Sequence, residues 1–475
     1  MKKIIHVIIA VLIIGISLSC EKFLTVNPKT DVARDELFAS ESGFKDAMAG
    51  VYIRLIDASS YGKALSTGAI EDLVSSWDAV STSPAGQLGL FNYGHQQVEP
   101  ILSNIFGYQY QTIANINAIL DKIDERKAVF APGIYEIIKG ECLALRAYIH
   151  LDLLRLFGPM PANSQVGNKL SYIITLSKVP SPPLDFNSFS TLLLKDLQEA
   201  EVLLKGVDPI RSYSLLDFKN GNFKSEDEFM KYRYLRMNYY AVKALQARAY
   251  LWFNQPQNAY DAAKSLIITE NLGGGKKFRL GESTDFNNED NVLTCEHIFG
   301  LYDFELYSKY RSNSLIKGRD EVVVKNQLYG STGLDIRELR LWVETKSNYQ
   351  SDYVFKKYYS PTDGGLLKDF KQIPLLRISE MYLIAVETAG QSEAESLWRE
   401  FQKARGLDEA YLPNDALQKK KLLIKEYRKE FYGEGQAFYA YKRFDAAEED
   451  IVFVPVEAVV NYLPPLPKIE GTTLN

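Results

Sequence analysis

Cysteine is scarce: three in 475 residues, too few for a fold stapled by disulfides. Histidine is equally rare, at four, which leaves little material for a metal centre or for acid–base chemistry. The sequence contains no His-Glu-x-x-His helix and no Gly-x-Ser-x-Gly elbow, and Gly273-Gly274-Gly275-Lys276 lacks the spacing of a phosphate loop. Basic residues are not in excess; the net charge is -5, and no basic stripe of the kind that binds nucleic acid is present. The longest apolar run, Ile4 to Ile16, is interrupted by His6 and Gly15. It falls short of the ~20 residues that a membrane-spanning helix needs. Catalysis on a familiar nucleophile, metal or phosphate motif, nucleic-acid binding and a helical membrane domain are therefore disfavoured together.

What is present is an ordinary globular composition, 46% apolar and 24% charged. Aromatics are plentiful but one-sided: 30 Tyr and 24 Phe against 4 Trp. The first segment has the layout of an export signal, with Lys2 and Lys3 ahead of the apolar run and Ser17-Leu18-Ser19 before Cys20. A cysteine at that point resembles the lipobox of bacterial lipoproteins, although Ser17 stands where leucine is usual. Residues 1–19 are expected to be removed as a signal peptide and Cys20 to be acylated; several acyl chains together anchor a protein stably.

Beyond an extended leader the patterning is helical. Phe44, Met48, Val51, Tyr52 and Leu55 form one apolar stripe. Residues 66–107, rich in Gly, Ser, Asn and Gln, read as a long loop region. The periodicity predicts helices over 110–123, 135–157, 189–204, 239–253, 258–268, 378–389, 392–405 and 417–432. Gly158-Pro159 stops the second of these. Ala241, Ala244, Ala247 and Ala249 precede Ala259, Ala262 and Ala263, so the two helices that carry them can approach closely, as in tetratricopeptide-type pairs. No clean 34-residue period appears. Residues 271–325 look irregular and aromatic-rich.

The segment Ala144-Leu145-Arg146-Ala147-Tyr148-Ile149-His150-Leu151-Asp152-Leu153-Leu154-Arg155-Leu156-Phe157-Gly158 resembles the hallmark helix of the SusD/RagB family. Further matches follow in order: Pro182-Pro183, Ala244 to Leu251, Asp335-Ile336-Arg337 as an Asp-x-Arg site, Leu376 to Ile384, Ala404-Arg405-Gly406-Leu407, and Glu426 to Phe431 leading to Gly433-Glu434-Gly435-Gln436. The resemblance implies a mainly α fold, with tetratricopeptide-like helix pairs forming an α–α superhelical scaffold (residues 20–270) and a loop-rich C-terminal part (271–475) packed on it. It also implies a non-enzymatic, lipid-anchored outer-membrane protein facing the cell exterior, without cofactor or resident metal. Such a protein captures glycan and delivers it to a SusC-like TonB-dependent transporter. One stretch departs from the commonest pattern: Phe438-Tyr439-Ala440-Tyr441-Lys442-Arg443 is closer to a RagB-like branch, which keeps peptide as an alternative cargo. A tetratricopeptide-like scaffold that binds only proteins is the other alternative.

The arginines and glutamates of these motifs, Arg146, Arg155, Arg377, Glu380, Arg428 and Glu430, lie on apolar helices and are expected to form buried scaffold ion pairs. Sugar binding asks for flat rings beside hydroxyl-pairing groups. Two irregular regions offer them. One has Trp77, Asp78, Asn92 and Tyr93, followed by His95; the other has Tyr302, Phe304, Tyr307, Tyr310, Arg311 and Asn313. The expected contacts are Trp77, Asp78, Asn92, Tyr93, Tyr307, Tyr310 and Arg311. Trp342 and Trp398 are expected in the core. A loosely held Ca²⁺ at the acidic stretch Asp285 to Asp290 is the weaker reading beside a solvated loop. Glu71, Asp72, Asp78 and Glu99 are the carboxylates that a glycosidase pair would have to draw on.

Overall fold

The computed structural model describes residues 34–177, 179–311, 318–347, 350–358, 370–408 and 411–468. Helix α1 (Glu41–Leu55) starts where Ser40 accepts the Gly43 N–H on its hydroxyl, and it buries Phe44, Met48, Val51 and Leu55. A short helix α2 (Ala69–Leu73) follows. Helix α3 (Glu99–Ile123) begins earlier than its predicted start at residue 110. Leu102, Ile105 and Phe106 extend its buried stripe by more than a turn, and Pro100 near its first position suits a helix start. The region read as one long loop therefore contains helical turns and the beginning of α3.

Helix α4 (Ile134–Phe157) is the axis of the scaffold: all of it except Glu136 and Lys139 is buried. It packs between α3 and α5 (Phe186–Lys205). Gly158 closes it, donating to Leu154 O at 2.8 Å. Lys442 also caps this end, its Nζ donating to Leu156 O at 2.9 Å and Gly158 O at 2.7 Å. The unpaired carbonyls at a helix end suit hydrogen-bond donors, while burial lowers the pKa of the Lys442 ammonium.

The pair α6 (Tyr239–Trp252) and α7 (Pro256–Ile267) meets through the alanines singled out above, all of them buried. The absence of side-chain bulk allows the two backbones to close on each other. Successive packing continues from α5 onto α6, and from α7 onto a helix far along the chain, α10 (Ile378–Thr388), which packs in turn on α11 (Gln391–Ala404). The result is a row of antiparallel helix pairs, the tetratricopeptide-like scaffold the sequence implied. Arg248 of α6 makes a bidentate pair with Glu380 of α10 at 2.7 Å for each bond, so contacts cross residue 270.

Between α7 and α10 the chain forms β1 (His297–Tyr302), helix α8 (Leu306–Arg311), β2 (Gly318–Asp320), helix α9 (Ile336–Leu341), β3 (Trp342–Ser347), β4 (Gln350–Phe355) and β5 (Gln372–Arg377). β1 and β5 pair antiparallel, with Tyr302 opposite Gln372; the other sheet has the order β2–β4–β3, also antiparallel. A second, smaller hydrophobic cluster lies here, built from Trp77, Tyr329, Trp342, Phe355, Tyr432 and Phe453 among others. Helices α12 (Ala416–Glu430) and α13 (Ala437–Phe444) complete the fold.

The motif charges meet inside. Glu430 of α12 accepts hydrogen bonds from Arg337 (2.9 Å), Arg377 (2.8 Å) and Arg405 (2.7 and 2.8 Å). Arg377 and Arg405 also share Glu296, while Arg337 holds Asp335 and Glu426. Glu434 adds Arg377 and Lys357. The Asp335-Ile336-Arg337 motif is thus a structural clasp. Gly435 is held at φ 70 with no room for a Cβ, which would lie 2.2 Å from Leu65 O. That turn delivers Glu434 to the network and the Gly435 N–H to Glu71 at 2.8 Å.

Candidate ligand-binding cleft

The expected site residues do not converge. Trp77 is only 6% exposed: its indole N–H donates to Thr67 O at 3.1 Å and its ring packs on Phe355 and Tyr432. This corrects the reading of Trp77 as an open platform, because a ring enclosed by two others has no face left for a sugar. Tyr93 is equally buried and donates from its hydroxyl to Asn461 O at 2.5 Å. Tyr307 is buried too, with its hydroxyl accepting the Phe370 N–H at 3.2 Å. Asp78 and Asn92 are exposed. Asp78 accepts the Asp320 N–H at 2.8 Å, and Asn92 donates to Gln87 at 2.6 Å. Tyr310 and Arg311 end α8, but their side chains lie outside the described part of the structure, as do Cys20 and Asn313.

Other candidates resolve into scaffold roles. Glu71 is buried, bonded to Ser76, Arg428 and the Gly435 N–H. Asp285 pairs with Arg279 at 2.6 and 2.8 Å, and Asp290 accepts from the Thr294 backbone and hydroxyl. Both aspartates are buried, while Asn287, Asn288 and Glu289 between them are exposed to solvent. Among the described residues no cluster of His, Cys, Asp and Glu is arranged to hold a metal ion. Cys142 and Cys295 are both free thiols. His150 is fully satisfied as a neutral ring: Nδ1 donates to Arg146 O and Nε2 accepts the Ile173 N–H, both at 2.9 Å.

The RagB-like stretch belongs to the scaffold as well. Arg155 stacks on the Tyr439 ring at 3.9 Å, Lys442 caps α4, and Arg443 pairs with Glu387. These residues therefore have packing roles in the scaffold.

A large cleft lies elsewhere, with a volume of about 690 Å³. One wall is the outer face of α1, with Tyr52, Ile53 and Ile56. A second comes from the connection between α5 and α6, with Leu216, Lys219, Asn220, Tyr232, Tyr234 and Arg236. The floor is the end of the β1–β5 ladder, where Tyr302 faces Gln372, with Phe370 beside it. Tyr232 is 53% exposed and Tyr302 40% exposed.

The polar groups of the cleft are held in place from behind. Arg236 donates from Nε to Glu141 at 2.8 Å and lies between the rings of Phe229 (3.8 Å) and Tyr52 (4.7 Å). Glu141 is also paired to the fully buried Arg233 at 2.8 Å. Lys219 is exposed overall, yet its ammonium reaches inward to Thr294 Oγ1 at 2.8 Å. Burial of that end lowers its pKa from the usual lysine value. Gln372 contacts His297, which is neutral at ordinary pH because burial pushes its pKa down to about 3. Rings beside fixed amide and cationic donors can stack on an apolar sugar face and pair its hydroxyls.

Of this cleft, sequence reasoning had noted Tyr302 and missed the second wall. The cue was available, since Phe218, Phe223, Phe229, Tyr232 and Tyr234 crowd an irregular stretch between two helices.

A SusD-like family model, described as "Starch-binding associating with outer membrane", matches residues 22–179. SusD-like protein P25 of Formosa agariphila is 27% identical over 217 residues, a match covering 44% of this chain and 39% of that protein's length. The fold is shared far more widely. A SusD homolog of Bacteroides thetaiotaomicron superposes with a TM-score of 0.68 at 14% identity, over 94% of this chain and 97% of the other. A laminarin-binding SusD-like protein gives 0.62 at 17% identity, over 91% and 98%. Sequence similarity to a SusD-like family thus covers the N-terminal third of the chain, and the fold is shared with SusD-like structures over nearly all of it.

Proposed function

We propose that this protein binds glycan, without catalysis, at the outside of the outer membrane. It captures oligosaccharide or polysaccharide in the cleft between α1, the α5–α6 connection and the β1–β5 ladder, and passes it to a SusC-like TonB-dependent transporter. Acylated Cys20 would hold it at the surface. Among the described residues no helix is long and apolar enough to cross a membrane, which is compatible with anchoring by lipid. The observation that carries the reading is the open pair of rings, Tyr232 and Tyr302, flanked by Asn220, Arg236 and Gln372 in one cleft. The matching family model's printed description and the laminarin-binding neighbour support glycan as the cargo class.

Calorimetry of the detergent-purified full chain against polysaccharides and peptide mixtures tests this. Heat is expected with a glycan, and Tyr232→Ala is expected to weaken that binding by more than about 1 kcal/mol, roughly sixfold in Kd. Heat with peptides alone would replace the cargo. An unchanged affinity in the variant would remove the cleft from the site. Co-purification of a transporter barrel with the affinity-tagged protein from its own membranes tests the partner.

A further inference from the structure

We infer that the cleft selects an acidic glycan, one carrying a carboxylate or sulfate group that Lys219 and Arg236 hold. The inference rests on the cleft being the glycan site. It comes from the charge of the wall. Among the described residues, two cationic side chains line the cleft and no aspartate or glutamate does. In a chain with 60 acidic and 55 basic residues, that local balance runs against the whole.

The balancing carboxylates stand behind the surface. Glu141 is fully buried and shared between Arg233 and Arg236. Asp290 is buried and reaches Lys219 only through the Thr294 hydroxyl. The cationic side chains thus stand between the cleft and these carboxylates, with the Lys219 ammonium turned inward onto Thr294. Arg236 also has capacity to spare: its Nη2 is buried and has no hydrogen-bond partner among the described residues. An unpaired buried donor is costly, and an anionic acceptor would relieve that cost with a charge-assisted bond. The stacking of the guanidinium between Phe229 and Tyr52 fixes its plane in advance, so little side-chain entropy is lost on binding. Asn220 and Gln372 remain for neutral hydroxyls, and Tyr232 for the ring face.

The test is calorimetry of the detergent-purified full chain with three probes: an oligouronate, the same oligosaccharide with its carboxyls reduced to alcohols, and a sulfated oligosaccharide. At least one acidic probe is expected to bind about tenfold or more tighter than the reduced sugar. That preference is expected to shrink as salt rises from about 0.05 to about 0.5 M. Whichever acidic probe wins identifies carboxylate or sulfate as the source of the charge. Lys219→Gln is expected to weaken acidic binding about tenfold and to weaken the reduced sugar by much less, so that the preference for acid shrinks. Equal affinity for acidic and reduced probes, or no effect of Lys219→Gln, overturns the inference. Tyr232→Ala separates this failure from a deeper one. If that variant loses neutral glycans, the cleft stands and only acid selectivity falls; if it loses no sugar, the cleft assignment falls with it.

Discussion

Glu430→Ala is expected to destabilise the fold by about 3–5 kcal/mol, the range for a buried ion left without its partner. Glu430 receives bonds from Arg337, Arg377 and Arg405, all three buried. Those arginines hold its carboxyl well below the usual glutamate range even though burial alone would raise it. Removing it leaves three guanidiniums facing one another with less negative charge between them. The four groups come from four places: Arg337 from α9, Arg377 from the end of β5, Arg405 from the end of α11, and Glu430 from α12. The damage should therefore be global, seen as a lower denaturant midpoint in one cooperative transition. Removing an exposed partner is the control: Glu228 pairs with Lys231 at the surface, and Glu228→Ala should shift stability by less than about 1 kcal/mol. A Glu430→Ala shift no larger than that of the control would show that the network contributes little.

The second large effect is a loss of stability in mild acid. His150 and His297 are both buried, and burial pushes each pKa from 6.5 down to about 3. The local geometry agrees for His150, whose Nε2 accepts a backbone N–H and has no place for a proton. Both folded pKa values are depressed, so the stability they confer is complete above the unfolded value of 6.5. It is lost as pH falls from there toward 3, because the unfolded chain takes up protons that the folded one refuses. Each group contributes a slope of about 1.4 kcal/mol per pH unit. Together they should make the protein about 4 kcal/mol less stable at pH 5 than at pH 7. Glu426, held at about 2 against burial by Arg337 and Lys429, adds a further loss of the same sign only below about 4.5. Urea titrations at pH 7, 6 and 5 measure the slope, and His150→Gln should roughly halve it. A stability that stays level between pH 6.5 and 5 would mean that both rings can charge where they stand.

Much of the scaffold was legible because its signal is local. Apolar spacing on α4, the alanines of α6 and α7, and the stop at Gly158-Pro159 each act within a few residues, and each predicted helix except α3 is present within a few residues of its expected ends. The start of α3 was misjudged because the polar residues around it masked Leu102, Ile105 and Phe106, whose burial depends on neighbours that periodicity does not name. The aromatic platforms were misjudged for a related reason. A ring in an irregular stretch is equally suited to covering a core or facing a ligand, and Trp77 and Tyr93 found core partners from residues 355 and 461, far along the chain.

Sequence by itself determined the helix-pair scaffold, the kinship and the need for the motif charges to pair, since periodicity, small-residue spacing and charge on apolar faces are properties of short stretches. Tertiary structure alone decided where a ligand fits. The cleft joins α1, the α5–α6 connection and the β1–β5 ladder, segments far apart in the sequence. Which of their rings remain open depends on the space that long-range packing leaves over.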